Sequence, residues 1–187
     1  WFVGTGSVFS KEYYQAASER LKSGGIMAQW VQLYETQDDI VALILRTFGS
    51  VFPYMEIWDT GTGDIVMLGS KQPWHMDPGV LRQGFAHERV RLDLQMINIY
   101  SAEALFARQL ASQRTAFAIV GPGPIQQDLK PVLEYIAPRA FFLGTGSQGL
   151  NSFDERTHRQ LLASVEKRSL LASLKLPEVQ FVFDDKS

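Results

Sequence analysis

The 187-residue sequence contains no cysteine, and it has few of the residues that usually mark a metal site. Without cysteine the chain forms no disulfide, no cysteine-ligated zinc site and no thiol nucleophile. Its three histidines, His75, His87 and His158, do not have the spacing of metal ligands. We therefore expect no metal site.

An excess of basic residues and a long apolar run are also missing. Lysine and arginine together number 18 against 20 acidic residues, which gives a formal net charge of −2. Binding to nucleic acid requires a clustered basic face, and a membrane helix requires about 20 apolar residues in succession. The sequence predicts no nucleic-acid partner, no membrane contact by this segment and a cytoplasmic location. If the chain is part of a longer parent protein, any membrane segment of that parent would lie outside these 187 residues.

The first strong pattern that is present is a helix followed by a strand. Ser10 is suited to cap a helix over Lys11–Lys22, which the glycines after Ser23 would end. The following run Gly25–Tyr34 is apolar except for two glutamines, and this pattern predicts a buried strand.

The next pattern predicts a second helix and a hairpin. Thr36 and Asp39 resemble a capping box before a helix over Gln37–Phe48. Two β-rich runs, Val51–Thr60 and Asp64–Gly69, are then joined by a glycine-rich turn, and they predict two antiparallel strands.

The composition changes after Ser70, so we divide the chain into residues 1–70 and a mainly helical extension, residues 71–187. Val80–Ser112 has a helical pattern that is broken near Asn98. A further helix is expected from Asp154 to about Leu174, and Glu178–Phe183 could be a terminal strand.

Five short pieces of the sequence resemble the spermidine synthase (aminopropyltransferase) family. Four of them occur in residues 1–70 in the family's order: SVFSKEYY at 7–14, RLKSGGIMAQ at 20–29, FGSVFP at 48–53 and DIVMLGS at 64–70. The fifth, DLKPVLEYIAPR at 128–139, is similar to a run in larger, often membrane-fused bacterial members.

The resemblance implies an α/β fold that is the C-terminal half of a Rossmann-like, class I methyltransferase-type sheet. The family's strand order is 3-2-1-4-5-7-6, with strand 7 antiparallel. Gly25–Tyr34 would be strand 5, and Val51–Thr60 and Asp64–Gly69 would be strands 6 and 7. Strands 1 to 4, the loop for decarboxylated S-adenosylmethionine and the catalytic aspartate would then lie upstream of Trp1.

The resemblance therefore implies that the parent transfers an aminopropyl group from decarboxylated S-adenosylmethionine to a small amine. For this chain alone we expect no catalytic residue, no bound cofactor and no activity. Two alternatives stay open: a non-catalytic scaffold or assembly module, and an S-adenosylmethionine-dependent methyltransferase-like enzyme on the same fold. The non-catalytic alternative is favoured by Trp30 and Val31, which follow Gln29 where family members often have an acidic residue.

Four residues are candidates for substrate binding. Gln29 and Tyr34 lie towards the C-terminal end of a predicted strand, where open α/β sheets place ligand contacts. Trp58 and Asp59 stand in the family's substrate loop, which is shortened here, and could offer a cationic amine an aromatic wall and a carboxylate. The alternatives are that backbone neighbours satisfy Gln29 and that Asp59 bonds its own turn.

Three further features have structural interpretations. Gly144–Gly149 matches G-x-G-x-x-G literally, but no helix starts within it, so it is interpreted as a loop. Glu134 and Arg139 could pair and hold their segment in place. If strand 4 is missing, the edge of Gly25–Tyr34 is exposed, and this predicts a homodimer or a swapped assembly that covers it.

Overall fold

The computed structural model describes residues 5–61, 63–74, 77–111, 116, 121–143, 146 and 147. After a short 3-10 helix at Thr5–Phe9, the described elements follow in chain order. They are α1 (Lys11–Arg20), β1 (Met27–Gln32), α2 (Asp38–Gly49), β2 (Tyr54–Asp59), β3 (Asp64–Ser70), α3 (Pro78–Ala86), α4 (Glu88–Gln95), α5 (Ala102–Phe106), β4 (Gln109–Ala111) and α6 (Val132–Leu143).

Helix α1 begins where the sequence predicts. The Ser10 hydroxyl accepts a hydrogen bond from the Tyr13 backbone N–H at 3.2 Å, which satisfies one of the donors that a helix start leaves open. The helix ends at Arg20, because Leu21 is already extended, and Gly24 then takes a φ of 71°. A side chain is strained at that angle, so the glycine reverses the chain at little cost.

Helix α2 forms as predicted, but its predicted capping box does not. The N-cap residue is Gln37, and its side chain makes no capping hydrogen bond. The Asp39 carboxylate instead accepts from the N–H of Ile40, the next residue, at 2.9 Å. Seven residues of this helix are buried, and they form the centre of the core: Ile40, Val41, Leu43, Ile44, Leu45, Thr47 and Phe48.

The described strands form one sheet in the order β1-β3-β2-β4. β3 lies between β1 and β2 and is antiparallel to both, so β1 and β2 run parallel to each other. β2 and β3 are the predicted antiparallel pair, which is confirmed. The turn that joins them contains Gly61 and Gly63, with φ of 83° and 90°.

β1 is an edge strand, so the prediction of a buried strand is wrong. Within the described residues it pairs only with β3, and of its six residues only Val31 is buried. The apolar run that suggested burial includes Trp30, which is 48% exposed. Hydrophobicity along the chain does not reveal whether a strand has a neighbour on both sides.

β4 corrects a second prediction, because the sequence placed Gln109–Ala111 in a helical region. Ala111 pairs with Ile57 and Gln109 with Trp58, so this short segment completes the sheet next to β2. All three of its residues are buried. A segment of three residues has little intrinsic preference for strand or helix. Its pairing with β2, which is distant in the sequence, therefore decides its conformation.

The helices in this region begin at local caps. Asp77 caps α3 through a 2.7 Å hydrogen bond from the Gly79 N–H, and Ser101 caps α5 through one from the Ala104 N–H at 3.0 Å. The predicted break near Asn98 coincides with a φ of 59° at that residue. Asp154–Leu174 and Glu178–Phe183 lie outside the described residues.

The mixed α/β class is confirmed, whereas a Rossmann-like sheet is not. Each of the four described strands is antiparallel to its neighbours, and this is not the order of a Rossmann-like sheet. The division at residue 70 stays a prediction, although β4 and α6 of the extension both contribute residues to the same core. No helix of the described chain is long and apolar enough to cross a membrane.

An aromatic cluster packs α1 and α2 against β3. Tyr14, Phe48 and Phe52 are fully buried, and the Tyr14 and Phe48 rings meet edge to face with centroids 5.0 Å apart. Gly69 of β3 lies beneath them, where a Cβ would clash with the Phe48 ring. Burial, and secondarily the neighbouring Tyr13, raises the pKa of the Tyr14 phenol far above its ordinary value.

Residues 121–138, which we call the strap, tie the extension to the first helices. The Gln126 carbonyl accepts from the Lys11 N–H at 3.0 Å, and the Gln126 N–H donates to the Thr47 hydroxyl at 2.8 Å. The Glu134 carboxylate accepts from the Gly6 N–H at 3.1 Å. Arg139, its predicted partner, has no described side chain. Glu134 thus holds the segment before α1, whereas its pairing with Arg139 stays a prediction.

Candidate functional site

Three of the four predicted site residues, Tyr34, Trp58 and Asp59, lie near one end of the sheet, because β1 and β2 run in the same direction. Gln32 at the end of β1 is opposite Asp64, and Asp59 at the end of β2 is opposite Ile65. The C-terminal ends of both strands therefore flank the start of β3. Tyr34 follows β1 and is 49% exposed at this end.

The two faces of the sheet nevertheless separate Gln29 from Trp58. Side chains alternate between faces along a strand. Gln29 shares its face with Val31 and Met67, the face on which α2 packs. Trp58 is in register with Val66 and lies on the second face, so the structure does not bring Gln29 and Trp58 together.

Gln29 makes a local hydrogen bond. Its amide Nε2 donates to the carbonyl of Trp30 at 3.1 Å, on the exposed side of β1. This agrees with the alternative interpretation of the sequence, in which a backbone neighbour satisfies the Gln29 side chain. The second N–H and the oxygen of the Gln29 amide are not used in that bond.

Asp59 also has the structural role that the sequence offered as the alternative, because it hydrogen-bonds its own turn. One carboxylate oxygen accepts from the Gly61 N–H at 2.9 Å, which is the hydrogen bond of an Asx turn. The other lies 3.7 Å from the Arg108 guanidinium, and the Asp59 N–H donates to the Arg108 carbonyl at 2.7 Å. Asp59 therefore closes the β2–β3 turn and ties it to the residue before β4.

The carboxylate next to Trp58 is Glu56. The indole Nε1 donates to Glu56 Oε2 at 3.0 Å, and only 6% of Glu56 and 8% of Trp58 are exposed. Phe106 of α5 packs edge to face on the indole, with ring centroids 6.0 Å apart. We call Glu56, Trp58 and Phe106 the second-face cluster. It combines a buried carboxylate with aromatic rings, the groups that recognise a cationic amine.

Glu56 was not predicted from the sequence, although a signal was present. It is the one charged residue in the run from Val51 to Trp58 and lies two positions before the tryptophan. Residues at i and i+2 of a strand point to the same face, so the strand prediction already put Glu56 beside Trp58. A buried glutamate is uncommon unless it is hydrogen-bonded or paired, which makes Glu56 a stronger candidate than the partly buried turn residue Asp59.

Ser147 is a second residue that the sequence did not reveal. Its N–H donates to the Leu33 carbonyl at 2.7 Å, and its hydroxyl bonds to the Asp38 carboxylate at the start of α2. Ser147 belongs to the Gly144–Gly149 segment, of which residues 146 and 147 are described. This serine covers the chain that leaves β1, close to Tyr34.

An apolar groove lies apart from these residues, between α3, α4 and α5. Its volume is about 340 Å³. Six apolar residues line it: Val80, Leu81, Phe85, Val90, Leu94 and Leu105. None of the predicted site residues contributes to it.

Among the described residues no group of three histidine, aspartate or glutamate side chains could hold a metal ion. Comparison of the chain with protein families, curated proteins and solved structures gives no match in any of the three.

Proposed function

We propose that this chain is the C-terminal part of a spermidine synthase-like aminopropyltransferase. In the parent, an amine nitrogen attacks the aminopropyl carbon of decarboxylated S-adenosylmethionine, the carbon–sulfur bond breaks, and methylthioadenosine leaves. The amine loses a proton. The parent accelerates this step by aligning the two reactants and by accepting that proton. This chain supplies scaffold and substrate contacts, not the catalytic base.

The observation that carries the proposal is the arrangement of three strands. β1, β3 and β2 are neighbours in that order, and β3 is antiparallel to both. The resemblance implies this arrangement for strands 5, 7 and 6. β4 then adds a strand beyond β2 that the resemblance does not include.

The contact between two separate matched segments also supports the proposal. The fifth piece, 128–139, lies far along the chain from the piece at 7–14. The structure joins them through a 3.1 Å bond from the Asp128 N–H to Glu12. Gly6, which directly precedes the first piece, also donates its N–H to Glu134. Segments that belong to one family pattern would be expected to meet in this way.

In this proposal the second-face cluster is the strongest candidate for contact with the amine, and Gln29, Tyr34 and Asp59 remain proposed contacts. Glu56 supplies the negative charge and Trp58 the aromatic surface. A carboxylate that is already buried gains more from pairing with a cation than an exposed one does. Asp59 is engaged by its turn and by Arg108, so we assign it the smaller role.

A second candidate function is a non-catalytic scaffold or assembly module. It is favoured by the engagement of Asp59 in the Asx turn and by the burial of Trp58 beneath Phe106. Both residues thereby serve the structure. A methyltransferase-like activity is the third possibility.

The test uses the parent protein that carries the residues upstream of Trp1. It is incubated with decarboxylated S-adenosylmethionine and putrescine, and separately with S-adenosylmethionine, and the nucleoside products are separated. Methylthioadenosine formed only when putrescine is present supports the proposal. S-adenosylhomocysteine from the second mixture indicates a methyltransferase instead, and a lack of turnover in both indicates the scaffold.

The carboxylate assignment is tested in the same protein with Glu56→Gln and Asp59→Asn as a matched pair. If Glu56 recognises the amine, its variant raises KM for putrescine about tenfold or more while kcat changes less, and Asp59→Asn changes KM less. An unchanged KM in Glu56→Gln would contradict the assignment. Circular dichroism checks that both variants fold.

A further inference from the structure

Phe106 of α5 covers the Trp58 indole within the second-face cluster. Its ring packs edge to face on the indole, and the phenylalanine is itself only 2% exposed. Glu56, which accepts the hydrogen bond of the indole, is buried as well. A ligand that contacts the indole must therefore displace a buried side chain. Among the described residues, Phe106 is the side chain whose ring lies against that indole.

Helix α5 is a short element with a bend before it and polar contacts after it. Before the helix, Asn98 has a φ of 59°, and the chain turns away from α4 there. After the helix, the Arg108 carbonyl accepts from the Asp59 N–H at 2.7 Å, and the Arg108 guanidinium lies 3.7 Å from the Asp59 carboxylate. We call these two contacts the clasp. Since a helix of five residues is not stable by itself, its contacts decide where it lies.

The apolar groove gives α5 room to move. Leu105, the residue before Phe106, lines this groove, so adjacent positions of the helix face the groove and the cluster. Gly84 of α3 lines it too, and a Cβ added at Gly84 would meet no atom within 4 Å. The groove volume of about 340 Å³ can therefore accept a shift of α5 towards α3 and α4.

We propose that α5 is a lid on the second-face cluster, which opens by moving into the apolar groove while β4 stays paired with β2. This movement takes Phe106 off the indole and places Leu105 deeper among apolar side chains. The apolar contact that is lost is thereby offset by one that is gained. The clasp favours the closed position. That the opening admits an amine rests on the proposed function, whereas the movement itself does not.

The Trp58 indole N–H reports the opening directly. It donates to Glu56 at 3.0 Å inside the cluster, so it exchanges with deuterium when water enters there. The chain has four tryptophans, and Trp58→Phe identifies the indole signal of Trp58 in an NMR spectrum. We expect this exchange to depend only weakly on low urea concentrations, as local opening does, whereas amides of the buried α2 exchange through global unfolding.

Two variants should shift the lid in opposite directions. Arg108→Met removes the guanidinium from the clasp and keeps a side chain of similar length. Indole exchange should quicken about two- to fivefold, the effect of losing one partly exposed ion pair. Gly84→Leu places a side chain in the groove, so exchange should slow towards the rate that global unfolding sets.

Each variant has a matched control. Arg82→Met removes the 3.2 Å ion pair between Arg82 of α3 and Glu103 of α5 but leaves the clasp intact, so it should not quicken indole exchange. Gly84→Ala raises the helix propensity about as much as leucine does but leaves the groove open, so it should leave the exchange rate unchanged.

The entry of an amine is tested with putrescine and the 187-residue chain. If the lid admits the amine to Glu56, saturating putrescine slows the indole exchange of the unmodified chain more than that of Glu56→Gln. Exchange that putrescine leaves unchanged would contradict the role of the lid as an entrance for the amine. The proposed function is tested separately by product analysis of the parent, so the two can fail independently.

Two results would overturn the lid itself. One is a Trp58 indole N–H that exchanges with the free energy and the urea dependence of global unfolding in the unmodified chain. The other is an equal exchange rate in Arg108→Met and Gly84→Leu. Circular dichroism of each variant separates a changed lid from a lost fold.

Discussion

At the scale of single residues, two buried polar side chains differ in whether their polar atoms are hydrogen-bonded. Glu56 and Tyr14 are both buried, but Glu56 accepts a hydrogen bond from Trp58, whereas the Tyr14 hydroxyl has no hydrogen-bond partner among the described residues. A buried hydroxyl without a partner loses its hydration without compensation. Tyr14 therefore contributes through its ring, and its oxygen is a cost.

Tyr14→Phe should consequently be tolerated. We expect its free energy of unfolding to be unchanged or higher by up to about 1 kcal/mol, because the buried oxygen is removed and the ring contacts remain. Tyr14→Ala is the control and should lose about 3–5 kcal/mol through the cavity it leaves. Urea denaturation measures both. A loss above about 1 kcal/mol in Tyr14→Phe would reveal a hydrogen bond to the hydroxyl.

The Tyr14 phenol should also make stability depend on alkaline pH. Burial raises its folded-state pKa above the ordinary value of 10.0, so the folded protein holds this proton more tightly than the unfolded chain does. The stabilisation of the folded state that arises from this pKa difference is fully present below about pH 10. It is lost as the pH rises further. Urea midpoints between pH 8 and 11 should fall less in Tyr14→Phe than in the unmodified protein. An equal fall of the urea midpoint in the two proteins would contradict the assignment of this pH dependence to Tyr14.

At the scale of elements, the contact between β3 and α2 requires a residue without a side chain. Gly69 lies beneath Phe48 and Phe52, and a Cβ there would clash with the Phe48 ring and come within 2.8 Å of Phe52. Atoms do not approach so closely, so the rings or the strand would have to move. The strand–helix packing therefore depends on this glycine.

Gly69→Ala should lower the free energy of unfolding by about 1–3 kcal/mol, because the added methyl overpacks the core. Gly84→Ala is the matched control: no atom lies within 4 Å of the added Cβ, and the residue is helical. It should raise stability by about 0.5–1 kcal/mol, since alanine loses less entropy than glycine in a helix. Thermal and urea unfolding of both variants give the comparison. Equal effects would show that the packing at Gly69 adapts.

At the scale of the whole molecule, Gln126 connects three parts of the chain. Its main chain bonds to Lys11 and Thr47, and its side-chain oxygen accepts from the Leu133 N–H at 3.0 Å. It is 1% exposed, so water cannot replace these bonds. The strap thereby links α1, α2 and α6 in one hydrogen-bonded unit.

Gln126→Met keeps the side-chain volume but removes the acceptor for Leu133. We expect a loss of about 1–3 kcal/mol in the free energy of unfolding, the cost of a buried donor without a partner. Gln127→Met, at the half-buried neighbour, should stay within about 0.5 kcal/mol. Hydrogen exchange at the Leu133 amide should quicken in the first variant only. Unchanged exchange there would mean that another acceptor replaces Gln126.

The sequence alone determined the elements whose signals are local. The Ser10 cap and the glycine turn between β2 and β3 act over a few residues, so they can be identified without the fold. Tertiary structure decided what depends on distant partners. These are the pairing of β4 with β2 and the packing of Phe106 on the Trp58 indole. Gly6 meets Glu134 across 128 positions of sequence. A local pattern carries no information about such a contact, because its free energy arises only when the whole chain has folded.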